Sequence, residues 1–199
     1  MGSEMCIRDS FNTIAGKRLI DDSSLPESSG REEWDFIHSF EEDSFLERLL
    51  LDHPDILYIW SPYLAEDIQG LLASKIIPLM AEDPEIGIIP DIENGKIRIP
   101  SDRKQSLQSF PSVKFYQDDS KHKAQGEEWM NHAKVWLTKT HLAVGSWNLT
   151  ESALHHGSNN GTCNVEAGII TPIDPATYRR LKPTKLLDLD KIDFMSTVW

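Results

Sequence analysis

The stretch from Asn131 to Glu166, NHAKVWLTKTHLAVGSWNLTESALHHGSNNGTCNVE, constrains this chain more than any other. Val135, Leu137 and Leu142 mark two apolar strands around a Lys139-Thr140 turn, and Asn164 to Thr171 reads as a third, ended by Pro172. Polar residues stand where these strands begin or end. His132 and Lys134 are two apart, so a strand puts both on one face. Either that face is a solvated sheet edge, or the lysine has a partner, because a buried sheet does not hold an unpaired ammonium. Ser146 and Asn148 share a face if the next strand runs through them, and both offer hydrogen bonds to phosphate oxygens. A polar turn and a helix cap explain them equally well at this level. Gly145 suits a place where backbone must approach closely. Glu166 lies in the apolar run NVEAGII, where a carboxylate needs a partner such as an imidazole N–H, unless it simply faces water.

The rest of the chain reads as scaffold. At 199 residues with 39% hydrophobic content it suits one domain with an adequate core. Residues 1–30 are without periodicity and end in a Ser/Pro/Gly/acid run, which predicts a disordered or irregular tail ahead of a domain over 31–199. Trp34, Ile37 and Phe40 recur every three residues and Phe45, Leu46, Leu49 and Leu50 at spacings of three and four, which predicts one amphipathic helix or two short ones broken near Glu41 to Asp43. Asp55 to Trp60 is a strand, and Leu64 to Met80 a helix with Leu64, Ile68, Leu71, Leu72 and Ile76 on one face. Strands follow at Ile86–Ile89 and Lys96–Ile99 around an Asn94-Gly95 turn, then a short helix over 101–110 and a strand over Val113–Tyr116. Asp118–Glu128 is a polar loop. Leu149–His155 is a short helix preceded by Asn148, and the tail from Asp174 a surface helix with local positive charge at Arg179, Arg180, Lys182 and Lys185. Strand, helix and strand in succession predict an α/β fold.

The net charge of -12 disfavours general nucleic-acid binding by the whole surface, while leaving room for a small basic cleft. Cys6 and Cys163 have neither metal-ligand nor disulfide-framework spacing, which is compatible with a reduced compartment. No stretch approaches the length of a membrane span and no apolar leader opens the chain, so the expectation is an intracellular protein without an integral membrane segment.

Taken together, His132-Ala133-Lys134, Gly145-Ser146-Trp147-Asn148 and Asn164-Val165-Glu166-Ala167 resemble the phospholipase D superfamily. Its pattern is H-x-K-x4-D, then G-S-x-N, then a Glu that supports the histidine. The resemblance is clearest over about 55–172 and closest to the compact, single-motif, nuclease-like members. It implies one phospholipase D-like lobe, a mixed central sheet flanked by helices. It also implies a phosphodiesterase without metal or cofactor. His132 would be the nucleophile of a phosphohistidine intermediate, Lys134 and Asn148 clamps on phosphoryl oxygens, Ser146 a support for that clamp, and Glu166 the residue orienting His132.

One departure stands out: the motif's Asp falls at Lys139, and the interval from His132 to Gly145 is one residue short. The tyrosyl-DNA phosphodiesterase branch also lacks that Asp, although it has S-x-N where this chain has GSWN. A second imidazole must protonate the leaving oxygen, yet the chain has no second H-x-K; His38, His53, His122, His141, His155 and His156 all lack the pattern. The expectation is therefore a homodimer that completes the site, acting on a phosphodiester, with nucleic acid favoured over lipid. An inactive lobe serving dimerisation or phosphate binding is the alternative from another class. A phospholipid hydrolase or transferase is the third.

Overall fold

In a computed structural model the residues described are 34–39, 43–93, 96–100, 103–104, 107, 110–117, 134–154 and 164–195. All belong to the unit Trp34–Trp199. The expected tail over 1–30, the loop over Asp118–Glu128, His132 and the Asn94-Gly95 turn lie outside these residues. So does most of the expected helix over 101–110.

The main sheet has seven strands: β1 (Asp35–His38), β2 (Ile56–Ser61), β3 (Glu85–Pro90), β6 (Val113–Phe115), β7 (Val135–Leu137), β8 (His141–Gly145) and β9 (Ala167–Pro172). Their spatial order is β1-β9-β8-β7-β2-β3-β6. β2, β3 and β6 run parallel, and β7, β8, β9 and β1 alternate, so the sheet is mixed. A smaller sheet joins β4 (Ile92–Glu93), β5 (Lys96–Pro100) and β10 (Asp193–Met195). Its β4–β5 pairing, Glu93 opposite Lys96, brackets the expected turn.

Both faces of the main sheet are covered, unequally. On one face Ile37, Leu57, Ile59, Ile86, Ile88, Phe115, Trp136, Ala143 and Ile170 pack against helix α1 (Phe45–Leu49) and helix α2 (Ile68–Leu71). On the other, Tyr58, Ile89, Tyr116 and Leu137 meet Tyr178 and Leu181 of helix α4 (Pro175–Leu181). Towards β1 that second face leaves Phe36, Ile169 and Val144 exposed in one cross-strand row. The fold is α/β, a mixed central sheet flanked by helices. Among the described residues, no helix is long and apolar enough to cross a membrane.

Three expectations are corrected. Trp34 and Ile37 are not helical: Asp35–His38 pairs antiparallel with β9, putting Ile37 in the core and Phe36 outside. A spacing of three fitted a helix by chance, and sheet pairing decided the outcome. Helix α1 begins only at Phe45, where Ser44 and Glu47 form a capping box. The helix expected over Leu64–Met80 starts at Ile68, capped by Asp67, and continues as a π turn over Leu72–Ile76 and a 3-10 turn over Ile77–Leu79. Leu64 instead forms a parallel bridge with Leu149, and Pro78 withholds the amide that a regular helix needs. Helix α3 is Glu151–Leu154; the Ala153 amide donates to the Thr150 hydroxyl at 3.4 Å, so Thr150 rather than Asn148 caps it.

Candidate functional site

Three candidate side chains start from one end of three adjacent strands. Lys134 immediately precedes β7, Ser146 immediately follows β8, and Glu166 immediately precedes β9. Antiparallel pairing of β7 with β8 and of β8 with β9 brings those positions side by side. The Gly145 amide donates to the Lys134 carbonyl at 3.3 Å. Strand β2, antiparallel to β7, finishes at the same end with Ser61. The site thus lies off the carboxyl ends of the parallel strands, where α/β sheets commonly hold ligands.

The glycine before Ser146 is required by packing. Gly145 pairs with Gly168, and the Trp147 ring folds over both. A Cβ on Gly145 would meet that ring at 2.4 Å and the Ala167 carbonyl oxygen at 2.7 Å; one on Gly168 would meet the ring at 2.4 Å. The buried Trp147 ring stacks on Phe45, 4.1 Å between centroids and 7° from parallel. The Trp136 indole N–H donates to the Trp147 carbonyl at 3.0 Å. Two residues on, the Leu149 amide donates to the Ser61 hydroxyl at 2.9 Å and its carbonyl accepts from Ala65 at 2.8 Å.

Asn148 is therefore held between two pinned neighbours. Its Oδ1 is buried and has no hydrogen-bond partner among the described residues. An amide oxygen left so costs about 1–3 kcal/mol, and satisfied groups are the rule in cores. The chain does not run through Ser146 and Asn148 as a strand, because β8 ends at Gly145. Instead Ser146 turns its polar atoms on β9. Its amide donates to the Ala167 carbonyl at 3.0 Å, and its Oγ accepts from the Ala167 amide at 3.0 Å and donates to the Ala167 carbonyl at 3.3 Å.

Glu166 is only 4% exposed. Burial raises its carboxyl above the ordinary range, while the Ser146 and Asn164 side chains and the Lys134 charge pull it back down. Lys134, Ser146 and Glu166 are thus one electrostatic group. Asn148 stands at the same end of the sheet, two residues beyond Ser146. Lys139 is elsewhere: it occupies the β7–β8 turn at the opposite end, where its Nζ lies 2.6 Å from Asp55 Oδ2. Among the described residues, no three His, Cys, Asp or Glu gather as metal ligands.

Sequence reasoning missed Ser39, Ser61 and the Phe45–Trp147 stack. Each acts across more than twenty residues of chain, and none belongs to a local pattern.

No family model matches the sequence, and no curated protein matches it. Among solved structures the fold is similar to NucT from Helicobacter pylori, at 18% identity over 74% of this chain and 91% of that one, TM-score 0.44. It is similar to the yeast tyrosyl-DNA phosphodiesterase, at 16% identity over 70% of this chain, TM-score 0.48; the chain spans under half, 46%, of that protein. It is also similar to Nuc, a phospholipase D family member from Salmonella typhimurium, at 15% identity over 74% of this chain and 89% of that one, TM-score 0.36.

Proposed function

We propose that this protein is a phosphodiester hydrolase of the phospholipase D type, working through a phosphohistidine on His132, without a metal, on nucleic acid. The observation that carries the reading is the convergence of Lys134, Ser146 and a buried Glu166 at one end of the sheet. These are motif residues that flank three adjacent strands.

Charge grows on the non-bridging oxygens of a phosphodiester as it transfers. Lys134 offsets that charge directly. Asn148 offers its amide to the same oxygens, since a half-turn of the side-chain amide exchanges Oδ1 for Nδ2 in the space it occupies. Glu166 accepts from one ring nitrogen of His132 and leaves the other nitrogen's lone pair free to attack. The ring nitrogen bonds to phosphorus as the bond to the leaving oxygen breaks. A second imidazole gives that oxygen its proton, then takes one from the water that displaces His132 and breaks the N–P bond.

A second copy of the chain supplies that imidazole as its own His132, paired about a two-fold axis. The exposed row of Phe36, Ile169 and Val144 runs over β1, β9 and β8, beside the site, and is the face such a copy would cover. With -12 on each chain, the basic groups that meet nucleic acid are confined to the cleft. The alternative of an inactive lobe draws on Lys139, the short interval before Gly145 and the acidic net charge; of these, Lys139 pairs with Asp55 at the opposite end of the sheet.

The test is turnover of bis-(p-nitrophenyl) phosphate and of a labelled oligonucleotide by wild type and His132→Asn, each with and without chelator. The expected result is loss of turnover in the variant, no effect of chelator, and an acid-labile phosphohistidine trapped in wild type. Equal turnover by both proteins removes His132 as nucleophile, and loss on chelation removes the metal-free mechanism.

A further inference from the structure

We infer that Ser39, at the end of the edge strand β1, is a positioning residue for Glu166; this rests on the hydrolase reading above. Both main-chain hydrogen-bonding groups of Glu166 are taken up by Ser39. The Glu166 amide donates to Ser39 Oγ at 2.7 Å. Its carbonyl accepts from the Ser39 amide at 3.0 Å and from Ser39 Oγ at 3.2 Å. The β1–β9 ladder ends one pair earlier, at His38 opposite Ala167. Beyond it the serine hydroxyl stands in for the missing strand.

On the other side of β9, Ser146 does the same to the next residue. Ser146 N donates to the Ala167 carbonyl, while Ser146 Oγ accepts from the Ala167 amide and donates to its carbonyl. Two serines from opposite neighbours thus grip two consecutive peptide units. Strand peptides alternate in direction, so Glu166 faces β1 and Ala167 faces β8. Ser146 belongs to the G-S-x-N element; Ser39 is its counterpart, outside any motif and 127 residues from Glu166.

The consequence concerns the carboxyl. Glu166 lies just before β9 begins, without a regular ladder of its own. To orient a histidine its side chain must hold one position, and a misplacement of about 1 Å in such a role costs up to roughly a hundredfold in rate. Removing the Ser39 hydroxyl leaves the Glu166 amide without its acceptor and loosens the carboxyl towards water. Burial is the largest cause of its raised affinity for a proton, so loosening moves that affinity back down.

The test uses the full chain with Ser39→Ala and Ser39→Thr, the latter keeping the hydroxyl. The Glu166 carboxyl is titrated by ¹³C NMR, assigned from the signal lost in Glu166→Gln, beside kcat and KM against pH on the same phosphodiester. Ser39→Ala is expected to shift the Glu166 titration to lower pH and to lower kcat roughly tenfold or more with KM little changed. Ser39→Thr is expected to restore both. An unmoved titration in Ser39→Ala, or a loss that Thr does not restore, overturns the inference. If Ser39→Ala does not fold, Ser39→Cys, which keeps the size but gives up the strong acceptor, is read the same way. The titration needs no turnover. Wild type inert on every phosphodiester with a shifted Ser39→Ala titration sinks the hydrolase reading and keeps the clamp; an active wild type with an unshifted variant does the reverse.

Discussion

The two ends of the main sheet handle charge in opposite ways. At the end where β2 and β3 begin, every charge discussed has an opposite partner. Lys139 meets Asp55, and Lys114 meets Glu85, which also accepts from the Tyr116 hydroxyl at 3.0 Å. The Lys139 hydrogen bond lowers the Asp55 carboxyl, the Lys114 hydrogen bond lowers that of Glu85, and both lysines are raised in return. Each shift favours the ionised form, which is what ion pairs do. At the other end Glu166 is shifted towards its neutral form, and Asn148 Oδ1 is buried without a partner among the described residues. Burial dominates at Glu166 despite Ser146, Asn164 and Lys134, and Asn148 keeps an unmet hydrogen bond; a group perturbed by burial rather than by an ion pair is the kind that functional sites hold.

The largest effect expected from this contrast is at Asn148. Asn148→Ala removes an orphaned acceptor as well as the proposed phosphoryl clamp. Turnover is expected to fall by roughly 10²–10³, as when one preorganised oxyanion donor is lost. Thermal stability is expected to hold or rise, because a buried unpaired amide oxygen has gone. A parallel loss of stability and activity would show that Asn148 is simply part of the scaffold and would collapse the contrast.

Glu166 gives the next largest effect, with a sign that can be worked out. Its folded-state pKa is raised, so the fold prefers the protonated carboxyl. That contribution is fully present below the unfolded value and is lost as pH rises through the folded one. At neutral pH wild type therefore carries a destabilising charge that Glu166→Gln does not. The variant is expected to melt higher than wild type at pH 8, with the gap closing near pH 4, and to turn over more slowly than wild type. A gap independent of pH would contradict the assignment.

How far the sequence led follows from the range over which each residue acts. The strands around Asn131–Glu166 were readable because two-residue alternation and the Lys139-Thr140 turn are local, and they appear as β7 and β8. The pairing of Lys134 with Ser146 and Glu166 was readable only through the combined motif, since no single spacing distinguishes a clamp from a solvated edge. Residues 34–38 misled because Trp34 and Ile37 fit a helical period, while their strand is chosen by β9, more than a hundred residues away. Ser39 carried no signal for the same reason. The role of Gly145 was read correctly as close approach but not its cause, the Trp147 ring that lies over the glycine pair.

The smallest effect is the sharpest check on the opposite end. Lys139 stands where the motif has its Asp, and Lys139→Asp restores the expected residue type. If that position served catalysis, the change would raise turnover. The geometry argues otherwise, because the new carboxylate would face Asp55 at the turn, remote from Lys134, Ser146 and Glu166. Both partners are about half exposed, at 47% and 54%, so water screens the pair strongly. The loss of an exposed pair costs about 0–1 kcal/mol, and the like charges add a repulsion that fades with salt over a Debye length of about 8 Å at physiological ionic strength. Urea denaturation should therefore show a small destabilisation that shrinks as salt is raised, with turnover unchanged. A rise in turnover would instead tie the two ends of the sheet together through position 139, and the separation between paired charges and working charges would have to be redrawn.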